Sequence, residues 1–219
     1  MMTRVPRLQP RLPLLGAILV ACGGLLGGGP WACGEGATGR LDPTPNVELA
    51  SETVASGFDT ILELAWGPDG AIWVTERPGT ISRLNPQSGA VTRVGQMAVA
   101  EIGEGGLMGL AFHPDFATQP WVYVAHTYNT PQGTRNRIVR MRYDGSALGA
   151  PEVILADIPG SSIHNGSRLI VGPDRLLYVT TGDASTADMA QDRNSLAGKI
   201  LRLTLNGQPA PGNPLGTRL

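Results

Sequence analysis

An all-β fold, a β-propeller made of repeated antiparallel sheets, is predicted by three observations. Turn formers dominate the composition, with 30 glycines and 18 prolines in 219 residues and only 16% charged residues. That balance suits short strands joined by tight turns better than helices or a disordered chain. Pro-Asp turns recur at Gly67-Pro68-Asp69-Gly70, His113-Pro114-Asp115-Phe116 and Gly172-Pro173-Asp174-Arg175, each after an aliphatic run and before an aromatic one. The three prolines stand 46 and 59 residues apart, the period of a four-stranded meander that buries its faces only by stacking on its neighbours.

The first unit reads as a strand ending near Trp66, then strands over 72–74, 80–84 and 91–94. The second has a strand before His113 and others over 121–124, 137–143 and 152–156. The third has strands over 168–171 and 176–181 and a further one over 199–205. The chain therefore holds about three four-stranded blades. Trp66, Trp73, Trp121 and Tyr178 fall at comparable places in them and are assigned to packing between blades.

Ahead of the blades, residues 1–22 read as a signal peptide, with Arg4, Arg7 and Arg11 before an apolar segment too short to span a bilayer as a stable helix. Leu19-Val20-Ala21-Cys22 resembles a lipobox, which makes Cys22 the lipidation site. An ordinary signal cut near Ala32, which discards Cys22, and a short anchor running through Leu26 are the other readings. Residues 23–46 form a flexible linker and 47–219 the partial propeller domain. The protein is thus expected to be exported, periplasmic or membrane-anchored as a bacterial lipoprotein, and to meet a membrane only through an acyl chain on Cys22. Both cysteines lie in the first 33 residues, so the blades carry no disulfide framework and no thiolate metal site. A net charge of −1 without a basic block excludes nucleic acid as a partner.

The third unit carries the candidate chemistry. A fold-back centred between Pro173 and Asp174 pairs residues whose numbers sum to 347, which sets His164 opposite Asp183. A carboxylate beside an imidazole fixes its tautomer and stabilises the imidazolium that forms when the ring takes a proton. The competing structural reading is a hydrogen-bonded surface pair. The first unit is an internal control: Asp59 and Pro78 hold the equivalent positions, so the hairpin does not need the pair in order to form. His113, in a turn, and His126, in a strand, have no second ligand at metal-site spacing and read as structural; no metal ligand is assigned.

Several blocks taken together resemble the glucose/sorbosone dehydrogenase family. They are Gly103-Glu104-Gly105-Gly106-Leu107-Met108-Gly109 with the following His113-Pro114-Asp115-Phe116, His164-Asn165-Gly166-Ser167-Arg168-Leu169, Gly172-Pro173-Asp174, the run from Tyr178 to Asp183, Ala190-Gln191-Asp192, and 198–203. The resemblance covers roughly residues 55–215. It implies a six-bladed propeller that oxidises an aldose at C1 to the lactone with pyrroloquinoline quinone (PQQ) and calcium, a small-molecule sugar as substrate and an external electron acceptor. It makes His164 the catalytic base and Asp183 its orienting partner, and it places Glu104 and Arg168 near substrate or cofactor. Glu104 reads equally as a loop carboxylate among glycines, and Arg168 as a bridge between blades. Ser167 stands where the family has glycine, and Ile163 where glucose enzymes offer a carboxylate, so sugar preference is not carried over. The family's later cofactor-gripping arginines and lysine have no counterpart in these residues. The chain is therefore expected to be an N-terminal fragment, inactive or weak alone. A non-catalytic propeller that binds carbohydrate or protein is the alternative, and a metal-dependent lactonase is disfavoured by its need for more carboxylates around one ion.

Overall fold

Strand-forming runs bounded by the Pro-Asp turns build three antiparallel sheets. The structure, a computed structural model, describes residues 50–214; the leader, Cys22 and the linker read over 23–46 lie outside the described residues. The first sheet is β1 (Ile61–Trp66), β2 (Ile72–Glu76), β3 (Thr80–Leu84) and β4 (Val91–Gln96), in that order across the sheet. The second is β5 (Leu107–Phe112), β6 (Trp121–Thr130), β7 (Gly133–Arg142) and β8 (Glu152–Pro159), again in chain order. The third holds β9 (Gly166–Val171), β10 (Leu177–Thr181) and β11 (Ile200–Leu203), with a one-turn helix α1 (Asp188–Gln191) before β11. These are the open meanders of an incomplete propeller. The third blade departs from the four strands expected: after β11 there is only an isolated bridge between Leu203 and Pro209 among the described residues.

Alternation along β6 explains why the sheets stack. Val122 and Val124 point into one core with Trp73, Ile81, Leu107 and Leu110. Tyr123 and Ala125, one residue out of phase, point into a second core with Leu169, Leu177, Val179 and Leu201. The middle sheet is therefore buried on both faces. The first strand of each sheet takes part as well, since β5 lies against both β1 and β9.

The recurring Gly-Pro-Asp before an aromatic residue has a steric cause. A Cβ on Gly67 would sit 2.6 Å from the Trp73 ring, and one on Gly172 would sit 2.8 Å from the Tyr178 ring. The aspartate then accepts from the ring's own donor: Trp73 Nε1 to Asp69 Oδ1 at 3.1 Å, and Tyr178 Oη to Asp174 Oδ2 at 2.8 Å. The expectation that all four aromatics pack between blades is only partly met. Trp73 is fully buried, edge-on to Phe112 and Tyr143, and Trp121 packs partly against the second core. Trp66, however, is 65% exposed. It lies on the side of β1 turned away from the second sheet, where the period of two puts every alternate residue.

Candidate functional site

The mouth of the β9–β10 hairpin brings His164 and Asp183 together, though not by the register read from the sequence. Along most of the hairpin the paired numbers sum to 348: Val171 with Leu177, Ile170 with Tyr178, Leu169 with Val179. Arg175 adopts a left-handed conformation (φ 63°), and Gly172 N–H donates to Leu176 O, so the loop holds an odd number of residues. A bulge then corrects the count. Ser167 is left-handed too (φ 78°), Arg168 N–H turns to Thr180 Oγ1 at 3.0 Å, and Gly166 pairs with Thr181, restoring 347. Had the slip persisted, His164 would face the residue after Asp183. Ser167, a residue that pays a steric penalty where glycine would not, keeps this conformation with its hydroxyl donating to Asn165 O at 3.2 Å.

His164 Nδ1 lies 3.0 Å from Asp183 Oδ1, and Ser185 N–H donates to the same oxygen at 2.9 Å. An ionised carboxylate can only accept, so a neutral His164 carries its proton on Nδ1 and its lone pair on Nε2. The ring is 55% exposed, within reach of a ligand. The hydrogen bond from His164 is the main reason that the Asp183 carboxyl is held below its ordinary range, with Ser185 N–H adding to it.

Glu104 reaches the same loop from the second sheet's side. Its Oε2 accepts from His164 N–H at 2.7 Å, and its own N–H donates to Ser162 O at 2.7 Å. Close approach is allowed by Gly103, where a Cβ would fall 2.1 Å from Ser162 O. The carboxylate thus holds the backbone of the histidine, a role that its place in the glycine loop did not reveal. Arg168 does bridge sheets: its Nη1 donates to Glu63 Oε1 at 2.8 Å, joining β9 to β1. Glu63 is almost wholly buried, and desolvation raises its pKa against the opposing pull of Arg168. Glu63, Glu104, Met108, Gly109 and Arg168, with Leu62, line an open cleft of about 320 Å³. His164 and Asp183 are not in its wall, but Asn165, next to the histidine, is.

Sequence reasoning missed Glu63, Asn165, Asn136 and Thr127. Glu63 carried a signal, a lone acid in the apolar run Ile61-Leu62-Glu63-Leu64, and Asn165 stood in the block around His164 that carries the resemblance, with no role assigned to it; Asn136 and Thr127 carried no signal that separates them from surface polar residues. The remaining two histidines are each held by a hydrogen bond to the protein. His113 Nδ1 accepts from Asp115 N–H at 3.0 Å. His126 is fully buried, with its Nε2 accepting from Arg137 Nε at 2.8 Å.

Burial, and after it the charge of Arg137, lowers the His126 pKa to about 4. In the unfolded chain the ring would take a proton below its ordinary value of 6.5, while the folded protein refuses it until about 4. Stability is therefore expected to fall as pH drops from 6.5 towards 4, by roughly 3 kcal/mol from this group. Denaturant unfolding across that range should show the slope in the wild type and a flatter one in His126→Leu.

Comparison with known proteins bears on the whole described region. A family model described as Glucose / Sorbosone dehydrogenase matches residues 58–218. Quinoprotein glucose dehydrogenase B of Acinetobacter calcoaceticus is 37% identical over 212 residues, covering 80% of this chain and 44% of the relative. An aldose sugar dehydrogenase of Escherichia coli is 27% identical, covering 84% of this chain and 51% of its own. Among solved structures, the PQQ-bound aldose sugar dehydrogenase of Streptomyces coelicolor is 43% identical with a TM-score of 0.72, over 76% of this chain and 51% of that one. The chain spans about half the length of the curated relatives that it matches.

Proposed function

Because this chain belongs to the glucose/sorbosone dehydrogenase family, we propose that the protein to which it contributes oxidises an aldose at C1 to the lactone, with His164 as the base. The observation that carries the reading is the 3.0 Å hydrogen bond between His164 Nδ1 and Asp183 Oδ1, which leaves Nε2 free to accept a proton. In the reaction the C1 hydroxyl gives its proton to Nε2, and C1 loses its hydrogen with an electron pair as the second bond between C1 and the hydroxyl oxygen forms. Asp183 keeps the ring in the productive tautomer and stabilises the imidazolium. PQQ, when bound, supplies the acceptor for that electron pair.

The residues present fit one flank of such a cofactor. The edge of the Arg168 guanidinium turned away from Glu63 can take a carboxylate at the cleft that Arg168 lines. No group of three acids, histidines or cysteines able to hold a metal ion occurs among the described residues, so calcium enters only as the expectation attached to the family. In this reading the protein is exported by its leader, with Cys22 lipidated, and passes electrons to an external acceptor.

The test is made on the full-length gene product, reconstituted with PQQ and calcium chloride and given an artificial dye acceptor. Dye reduction with aldoses should yield the C1 lactone and slow with C1-deuterated sugar. Failure to oxidise any aldose in a broad panel, or oxidation at another carbon, overturns the proposal.

A further inference from the structure

The backbone around His164 is in an unusual conformation that something must hold. His164 (φ 60°), Gly166 (φ 66°) and Ser167 (φ 78°) are all left-handed within four residues, and for the two that are not glycine this is sterically unfavourable. Such a run persists only where its surroundings determine it, and here the determinant is polar and buried. Asn165 is 2% exposed, and Asn136 and Thr127 are fully buried. Their side chains form a relay from the glycine loop of Glu104 to the loop of His164.

The proton directions in the relay follow from one another. Gly106 N–H donates to Thr127 Oγ1 at 3.2 Å, and the Thr127 hydroxyl donates to Asn136 Oδ1 at 2.8 Å. The Asn136 amide nitrogen is then left to donate, and it does so to Asn165 Oδ1 at 2.9 Å and Pro159 O at 3.2 Å. Asn165 Oδ1 also accepts from Ser161 N–H at 3.1 Å, while its nitrogen donates to Ser161 O at 2.8 Å. Each amide has one orientation compatible with its partners. A buried network satisfied in this way is rigid, because breaking any member strands a desolvated polar group.

We propose that Asn136 and Asn165 are positioning residues for the base: together with the Glu104 carboxylate on the His164 N–H, they fix the 161–165 loop so that His164 Nδ1 meets Asp183. The inference rests on the functional reading above for its catalytic consequence, and on the loop geometry alone for its structural one. Neither asparagine needs to touch substrate.

Asn136→Asp keeps the shape and removes the donor, setting a carboxylate against Asn165 Oδ1 and Pro159 O. Thr127→Val keeps a β-branched strand residue and breaks the relay one step further away, so it carries the test if the first variant does not fold. Hydrogen exchange on the full-length protein without cofactor should show residues 161–165 exchanging about tenfold faster in either variant, with β10 unchanged. In the loaded enzyme kcat should fall on the order of 10²-fold while KM holds, the cost of misplacing a catalytic group by about 1 Å. Exchange at the wild-type rate in a folded variant overturns the positioning role. Faster exchange with wild-type kcat overturns its link to catalysis. If the wild type oxidises no aldose, the functional reading fails, and the exchange measurement still decides whether the relay holds the loop.

Discussion

His164→Ala in the full-length gene product is expected to lower kcat by roughly 10³-fold, the contribution of a positioned general base, while leaving the unfolding midpoint near that of the wild type. The split follows from the geometry. The ring is 55% exposed and belongs to neither hydrophobic core, so its removal opens no cavity. What is lost, on the proposed mechanism, is the acceptor for the hydroxyl proton. Asp183→Asn is the milder companion: an amide oxygen can still accept from Nδ1, but without charge it no longer stabilises the imidazolium, and a loss on the order of 10²-fold is expected. Steady-state dye reduction beside a denaturation curve measures both. Wild-type turnover in His164→Ala would remove this residue from the mechanism, and an equally large loss of stability would reassign it to the fold.

The fold was legible in the sequence because it repeats. Each Gly-Pro-Asp turn encodes a local device, a glycine that lets an aromatic ring lie across the turn and an aspartate that bonds to the ring, and the Pro-Asp turn seen three times identifies the blades without any long-range information. The site was legible only in part. His164 and Asp183 met although the register read along the hairpin was off by one, because the left-handed Ser167 bulge makes up the slip before the mouth; neither left-handed residue, Ser167 or Arg175, is a glycine. The partners of Arg168 and Glu104 were hidden for another reason. Glu63 lies 105 residues from Arg168, and the backbone of His164 lies 60 residues from Glu104, so both contacts depend on how whole sheets stack. The sole lysine closes the turn around α1: Lys199 Nζ donates to the carbonyls of Met189, Ala190 and Ala197.

Gly182→Ala is expected to be the most damaging small substitution near the site, and for a reason unrelated to glycine's conformational freedom. A Cβ at this position would lie 1.8 Å from His164 O and 2.4 Å from His164 C, well inside van der Waals contact, so one of the two strand ends has to move by roughly 1 Å or more to restore it. Gly182 cannot be the one to yield cheaply. Its N–H donates to Asn165 O at 3.1 Å, and its carbonyl accepts from Gly198 N–H at 2.7 Å, so retreat breaks the hairpin mouth on one side or the connection to β11 on the other. Displacement of His164 instead pulls its ring from Asp183 and its N–H from Glu104. Overpacking of this kind should cost roughly 3 kcal/mol, and the misplaced base should lower kcat on the order of 10²-fold. Gly70→Ala is the control. Gly70 is left-handed (φ 75°), and a Cβ there would meet nothing within 4 Å, so the cost is conformational, about 1 kcal/mol, and turnover should be untouched. Urea unfolding and kcat measured on both variants separate the two causes. A Gly182→Ala variant as stable and active as Gly70→Ala would mean that the strands carrying His164 and Asp183 are not packed backbone against backbone, and the pairing on which the base depends would lose its structural support.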